Sequence, residues 1–281
     1  MKTLNQLLKK FYPNSNREYA LEKMVGNEKF IPLLIQYISN PIETKDLWED
    51  DDRVSISEAL GTQGGSAIPH LIKLYENTDN NLSARFYAVL ALSIYNDCQS
   101  GQIEKEVHHI LLESLESHEK DIRRITTYSL RHSVVNIRSW IKFFYLEYQE
   151  MGRIIYYKDC LISDAMDDGM DYFNSVTEAE IQQLKKLFET ANEEEIIGIS
   201  IVVCAIFSKK LDDFRRQLLL KVKKEDKDIK KLLINSLSNI NIPANKTFLT
   251  NLKTQETSDI KKFIDDILEA HILQNLLKKY S

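Results

Sequence analysis

Three groups of residues have types that could do chemistry: the carboxylates of DAMDDGMD at 164 to 171, the six histidines, and the tryptophan with its acids in LWEDDD at 47 to 52. Asp164, Asp168 and Gly169 take positions 1, 5 and 6 of a calcium loop, but Met166 at position 3 and Ser175 at position 12 remove two oxygen ligands, including the bidentate carboxylate. A solvated acidic loop is the expected reading. His70, His108, His109, His118, His132 and His271 form no HExxH, and none stands at metal-site spacing from a cysteine. The Glu104 and His108 pair at i, i+4 is what many exposed helix faces carry. No GxSxG elbow and no GxxxxGK[ST] loop occurs. The expectation is a protein with no catalytic residue, no metal and no cofactor.

What remains is chemistry of recognition. The connection NPIETKDLWEDDD at 40 to 52 is longer than a usual helix-to-helix link and presents Trp48 beside Glu49, Asp50 and Asp51. Tryptophan is over-represented among interface hot spots, so these four are candidate partner-binding residues. The segment SWIKFFYLEYQEMGRIIYYKDCLISDAMDDGMDYF at 139 to 173 is the second candidate. Trp140, Ile141, Phe143 and Phe144 can supply a buried stripe; Tyr145, Tyr148, Tyr156 and Tyr157 exceed what one narrow face hides. With Arg153, Asp164, Asp167 and Asp168 they would form an acidic, aromatic surface suited to a basic protein.

Those residues need a scaffold, and composition says which kind. A chain of 281 residues, 43% hydrophobic and 28% charged, can bury a sizeable core, while only 8 Gly and 5 Pro leave little turn chemistry for short strands. An all-α protein follows. Cys98, Cys160 and Cys204 are odd in number and far apart, which suits reduced thiols and a cytoplasmic protein. The amino terminus lacks an unbroken apolar signal core, and the longest apolar run, IIGISIVVCAIF at 196 to 207, is too short for a membrane span and reads as a buried helix. A net charge of -5 argues against non-specific nucleic-acid binding.

Self-similarity organises the helices. IPLLI at 31 to 35 and IPHLI at 68 to 72 each place proline in a first helical turn, where its missing N–H loses no bond. Ile68, Leu71, Ile72 and Tyr75 continue at i, i+3, i+4 and i+7, one face of a helix. A second template puts a basic residue six and seven positions before a small or apolar pair: Arg53, Arg85, Arg123, Lys230 and Lys261. That ladder is expected to pair with acidic turn residues rather than to form a binding stripe. The basic block at 209 to 231, with 10 Lys or Arg against 5 acids, reads as a solvated helical face with Phe214, Leu218 and Val222 inward. The repeats recur at roughly 31 to 38 residues, about seven helical hairpins.

The stretch EALGTQGGSAIPHLIKLY at 58 to 75 resembles the junction of HEAT repeats and of the related phycobilisome-lyase repeats. Gly61, Gly64 and Gly65 are expected there to end one helix and reverse the chain. The resemblance implies a right-handed α-α superhelix, a HEAT/ARM-like solenoid, used mostly to bind proteins. The organisation expected is one solenoid over 1–281, with a cap at 1–27, regular repeats at 28–135, an irregular aromatic and acidic repeat at 136–174 and C-terminal repeats at 177–281. The function expected is a non-enzymatic module, monomeric, binding a basic protein. Three alternatives stand beside it: an immunity-type inhibitor of a toxin, a HEAT-like DNA glycosylase using Trp140, Arg153, Tyr156 and Asp159, and a chromophore lyase.

Overall fold

A computed structural model describes residues 4–40, 47–63, 65–77, 81–98, 105–130, 137–150, 176–206, 208–237 and 242–280. Among them are fifteen α-helices and no strand. The chain divides into two compact units, residues 1–135 and 136–281.

The first unit runs α1 (Leu4–Phe11), α2 (Arg17–Val25), α3 (Ile31–Ser39), α4 (Asp51–Gln63), α5 (Ile68–Glu76), α6 (Leu82–Cys98), α7 (Lys105–Leu115) and α8 (Lys120–Leu130). Pro32 and Pro69 lie in the first turns of α3 and α5, as their Ile-Pro pairs require. The α1 stripe buries Leu4, Leu7 and Leu8, and Asn16 caps α2 by accepting from the Tyr19 amide at 2.8 Å. Helices two places apart stack: α3 on α5, α4 on α6, α6 on α8. The seam holds Ile56, Leu60, Ala88, Ala91 and Leu92, all with no exposed surface. Each large apolar side chain so buried contributes about 1.5–3 kcal/mol relative to exposure.

The second unit has α9 (Ile137–Glu150), α10 (Glu178–Thr190), α11 (Glu193–Ala205), α12 (Asp212–Lys221), α13 (Lys227–Ser236), α14 (Pro243–Gln255) and α15 (Ser258–Tyr280). Thr177 with Glu180 and Asn192 with Glu195 form capping boxes that satisfy the first amides of α10 and α11. The apolar run beginning at 196 is the body of α11, where Ile197 to Ala205 are all buried. It packs on α9 and α13, and α13 packs in turn on α15. No described helix is long and apolar enough to cross a membrane.

The glycines act differently from expectation. Gly61 lies inside α4, and a Cβ there would stand 2.5 Å from the Ala91 carbonyl oxygen and 2.8 Å from Ile94 Cβ. It is small so that α4 and α6 can touch. Neither it nor Gly65 has a positive φ, so the junction turns through the short 3-10 segment Gly65–Ala67 without a left-handed residue at either. Gly64 lies outside the described residues. Gly198 plays the Gly61 part in the second unit, where a Cβ would run into the backbone carbonyl of Ile141 on α9.

Candidate functional site

The basic ladder is internal. Arg53 is 5% exposed; it pairs with Asp50 and donates to the Asn40 carbonyl oxygen at 3.3 Å. Arg123 is 1% exposed and donates to the carbonyl oxygens of Ser117 and His118, each at 2.9 Å. Lys230 reaches Glu256 across the α13 to α15 seam, with side chains only 3% and 4% exposed. Arg85 and Lys261 are half-buried, Arg85 lying over the Tyr75 ring. Arg53, Arg123 and Lys230 thus tie helix ends and carbonyls together and offer no stripe to a ligand.

The basic block at 209 to 231 divides in the same way. Phe214, Leu218 and Val222 are buried as expected, but so is Arg215, which the solvated-face reading placed outside. Arg215 donates to the carbonyl oxygens of Val203, Ile206 and Ser208 and binds Asp212 at 2.9 Å. Asp212 also accepts from Asn245 of α14 at 2.9 Å. Of the other lysines, exposed Lys223 pairs with Glu193 at 2.6 Å and half-buried Lys227 with Asp259 at 2.6 Å, leaving the block partly neutralised.

At the tryptophan-acid run the geometry is informative. Leu47 is buried and its carbonyl accepts the Tyr87 hydroxyl at 2.7 Å, anchoring the 3-10 turn Leu47–Glu49. Trp48 stands edge-on to Phe86, ring centres 5.2 Å apart, yet is 49% exposed. The acids then separate by role. Asp50 accepts from the Arg53 amide at 3.1 Å at the start of α4 and pairs with the Arg53 guanidinium. Asp52 binds Arg17 at 2.9 Å, the Tyr37 hydroxyl at 3.2 Å and the Leu4 amide at 3.2 Å, which fastens α1, α2 and α3 to α4. The Tyr37 hydroxyl is correspondingly held above its ordinary pKa, by burial first and then by the Asp52 carboxylate. Glu49 and Asp51 are exposed.

Asp50 therefore serves as a helix cap paired with Arg53, its side chain 19% exposed. The exposed members of the run are Trp48, Glu49 and Asp51. Leu82, 39% exposed, precedes Phe86 by one helical turn on α6, so the two share a face. Leu82 was missed because its own segment reads as an ordinary repeat.

In the central segment, Trp140, Ile141, Phe143 and Phe144 form the buried stripe expected, with Trp140 fully enclosed. Tyr148 joins them at 5% exposure, so it belongs to the core and not to a groove. Its position one turn past Phe144 on α9 carries it to the same inward face. Tyr145 is half-buried and lies between Lys142, 5.5 Å from its ring centre, and Glu194 of α11. Partial burial, then the Glu194 carboxylate, raises its hydroxyl pKa, since a phenolate would lose water and face a like charge. Arg153, Tyr156, Tyr157, Asp164, Asp167 and Asp168 lie outside the described residues.

Among the described residues no group of three or more His, Cys, Asp or Glu could hold a metal ion. Cys98 is exposed and Cys204 buried, both as free thiols; burial pushes the Cys204 thiol up to about 12. The arrangement around Trp48 presents a half-solvated indole, held against Phe86, and the two exposed carboxylates of Glu49 and Asp51. No family model, no curated protein and no solved structure matches the chain.

Proposed function

We propose that this chain is a non-enzymatic binding module of HEAT-like helical repeats, cytoplasmic and monomeric, that captures a basic protein on the surface around Trp48. The stacking of helices two places apart within each unit supports the repeat reading, because hairpins that cannot bury their apolar faces alone must bury them against their neighbours. The observation that carries the binding reading is the indole itself. Trp48 is held by Phe86 and by an anchored turn, yet keeps 49% of its surface in water. A rigid aromatic anchor loses little entropy on docking, and Glu49 and Asp51 beside it bias association toward a positive partner. Inhibition of a basic toxin is one narrower form of this function. The glycosylase alternative loses a residue, since Trp140 has no exposed surface on which a base could stack.

Tagged wild type, Trp48→Ala and the double variant Glu49→Lys/Asp51→Lys are used for capture from nuclease-treated native lysate. Retention of one near-stoichiometric protein by wild type alone, with unchanged helix content in both variants, supports the reading. Equal retention by all three, or recovery of nucleic acid only from untreated lysate, overturns it.

A further inference from the structure

Resting on the Trp48 reading, we propose that the feature recognised there is an arginine of the partner, its guanidinium lying on the exposed indole and donating to Glu49 and Asp51. Three observations converge. The acids of the run are sorted by the fold: Asp50 is consumed by Arg53 and Asp52 by Arg17, Tyr37 and Leu4, whereas among the described residues the exposed Glu49 and Asp51 carboxylates make no such bond, Arg17 reaching only the Asp51 backbone carbonyl oxygen at 3.4 Å. Glu49 directly follows the indole in sequence and Asp51 comes two residues later, at a turn fixed by the Leu47 carbonyl and by Phe86. Leu82, partly exposed one helical turn before Phe86 on α6, offers an apolar side chain along which the methylene stem of a long cation can lie.

The same chain already builds this arrangement internally. Arg53 lies over the Tyr37 ring, 5.3 Å from its centre, while its guanidinium pairs with Asp50 and the Asn40 carbonyl. An aromatic face with a carboxylate at its edge is there filled by arginine. The Trp48 surface repeats the pair of features with a better aromatic and, among the described residues, no cation paired with the Glu49 and Asp51 carboxylates. Arginine fits it better than lysine: the guanidinium is planar, sheds water more readily, and donates two parallel bonds to a carboxylate while stacking on a ring. Lysine would meet the same charge but gain little from the indole.

Oligo-arginine and oligo-lysine peptides of equal length separate these terms, with tryptophan fluorescence as the readout. Trp140 is fully buried, so the change on binding reports Trp48. The expected result is saturable quenching with the arginine peptide bound about fivefold or more tightly than the lysine peptide. Trp48→Ala, followed by anisotropy of a labelled peptide, should erase that preference, and Glu49→Gln/Asp51→Asn should weaken both peptides while keeping it. Equal affinity for the two peptides, or a preference that survives Trp48→Ala, overturns the assignment. The two proposals fail differently. A captured partner that depends on Trp48 but binds unchanged after its arginines become lysines leaves the binding module standing and removes the arginine. Capture indifferent to Trp48 removes both.

Discussion

Replacing Gly61 by alanine tests the packing argument by its sign. In an exposed helix the change would stabilise by about 1 kcal/mol, because alanine has the better intrinsic helix propensity. At Gly61 the new methyl would stand 2.5 Å from the Ala91 carbonyl oxygen and 2.8 Å from Ile94 Cβ. Ordinary contact begins near 3.5 Å, so α4 and α6 would have to part by up to about 1 Å. Neither obstacle is a flexible side-chain end, and Ile56, Leu60, Ala88 and Leu92 around it are fully buried, so separation loosens the whole seam. Overpacking of this kind costs typically about 1–3 kcal/mol, and more where backbone blocks the way. The net expectation is a loss of about 1–2 kcal/mol, or a fall of roughly 2–8 °C in Tm for a chain of this size. Urea unfolding followed by circular dichroism, with a calorimetric Tm, measures it. Gly65→Ala is the control, since a Cβ there meets nothing within 4 Å, and should stay within about 0.5 kcal/mol of wild type. If Gly61→Ala matches or exceeds wild type, Gly61 serves only the turn and the close-crossing argument is refuted.

Other perturbations follow from the same geometry. Lys230→Met strands the Glu256 carboxylate in the α13 to α15 seam and should lose about 3–5 kcal/mol, while Lys230→Met/Glu256→Leu recovers most of it in a double-mutant cycle. A thiol reagent on the native protein should label Cys98 within minutes and reach Cys204 only on unfolding; equal rates would contradict the burial of Cys204. Because the folded Cys204 pKa is raised to about 12, its contribution to stability is complete below the unfolded thiol pKa and is lost as pH climbs from about 9 toward 12, so Cys204→Ala should flatten that limb of the stability curve. His108 has the opposite sign. Burial, with His109 beside it, lowers its pKa, so its contribution is present above the unfolded value near 6.5 and is lost as pH falls; His108→Gln should reduce the acid-side slope in urea titrations from pH 7 to 5.

The sequence by itself determined the helices and most of their inward faces. Leu4, Leu7 and Leu8, then Ile68, Leu71 and Tyr75, then Phe214, Leu218 and Val222 are buried where a 3.6-residue period puts them, while Phe11 and Ile72 of the same stripes stay partly exposed. Pro32 and Pro69 mark the helix starts that their local chemistry allows. Periodicity is local, and each of these decisions is made within a few turns of chain. The candidate site needed more. Glu49, Asp50, Asp51 and Asp52 are indistinguishable as a run of acids, and only long-range neighbours assign them: Arg17 lies 35 residues from Asp52, and Tyr87 anchors Leu47 from 40 residues away. Tyr145 and Tyr148 differ by three positions on α9, yet one reaches Glu194 of α11 and the other is core. Gly61 looked like punctuation and is a contact surface, because whether a missing Cβ serves a turn or a crossing depends on what stands opposite. Charge commitment and close approach are properties of pairs far apart in the chain, so tertiary packing alone decided which of these residues stay exposed.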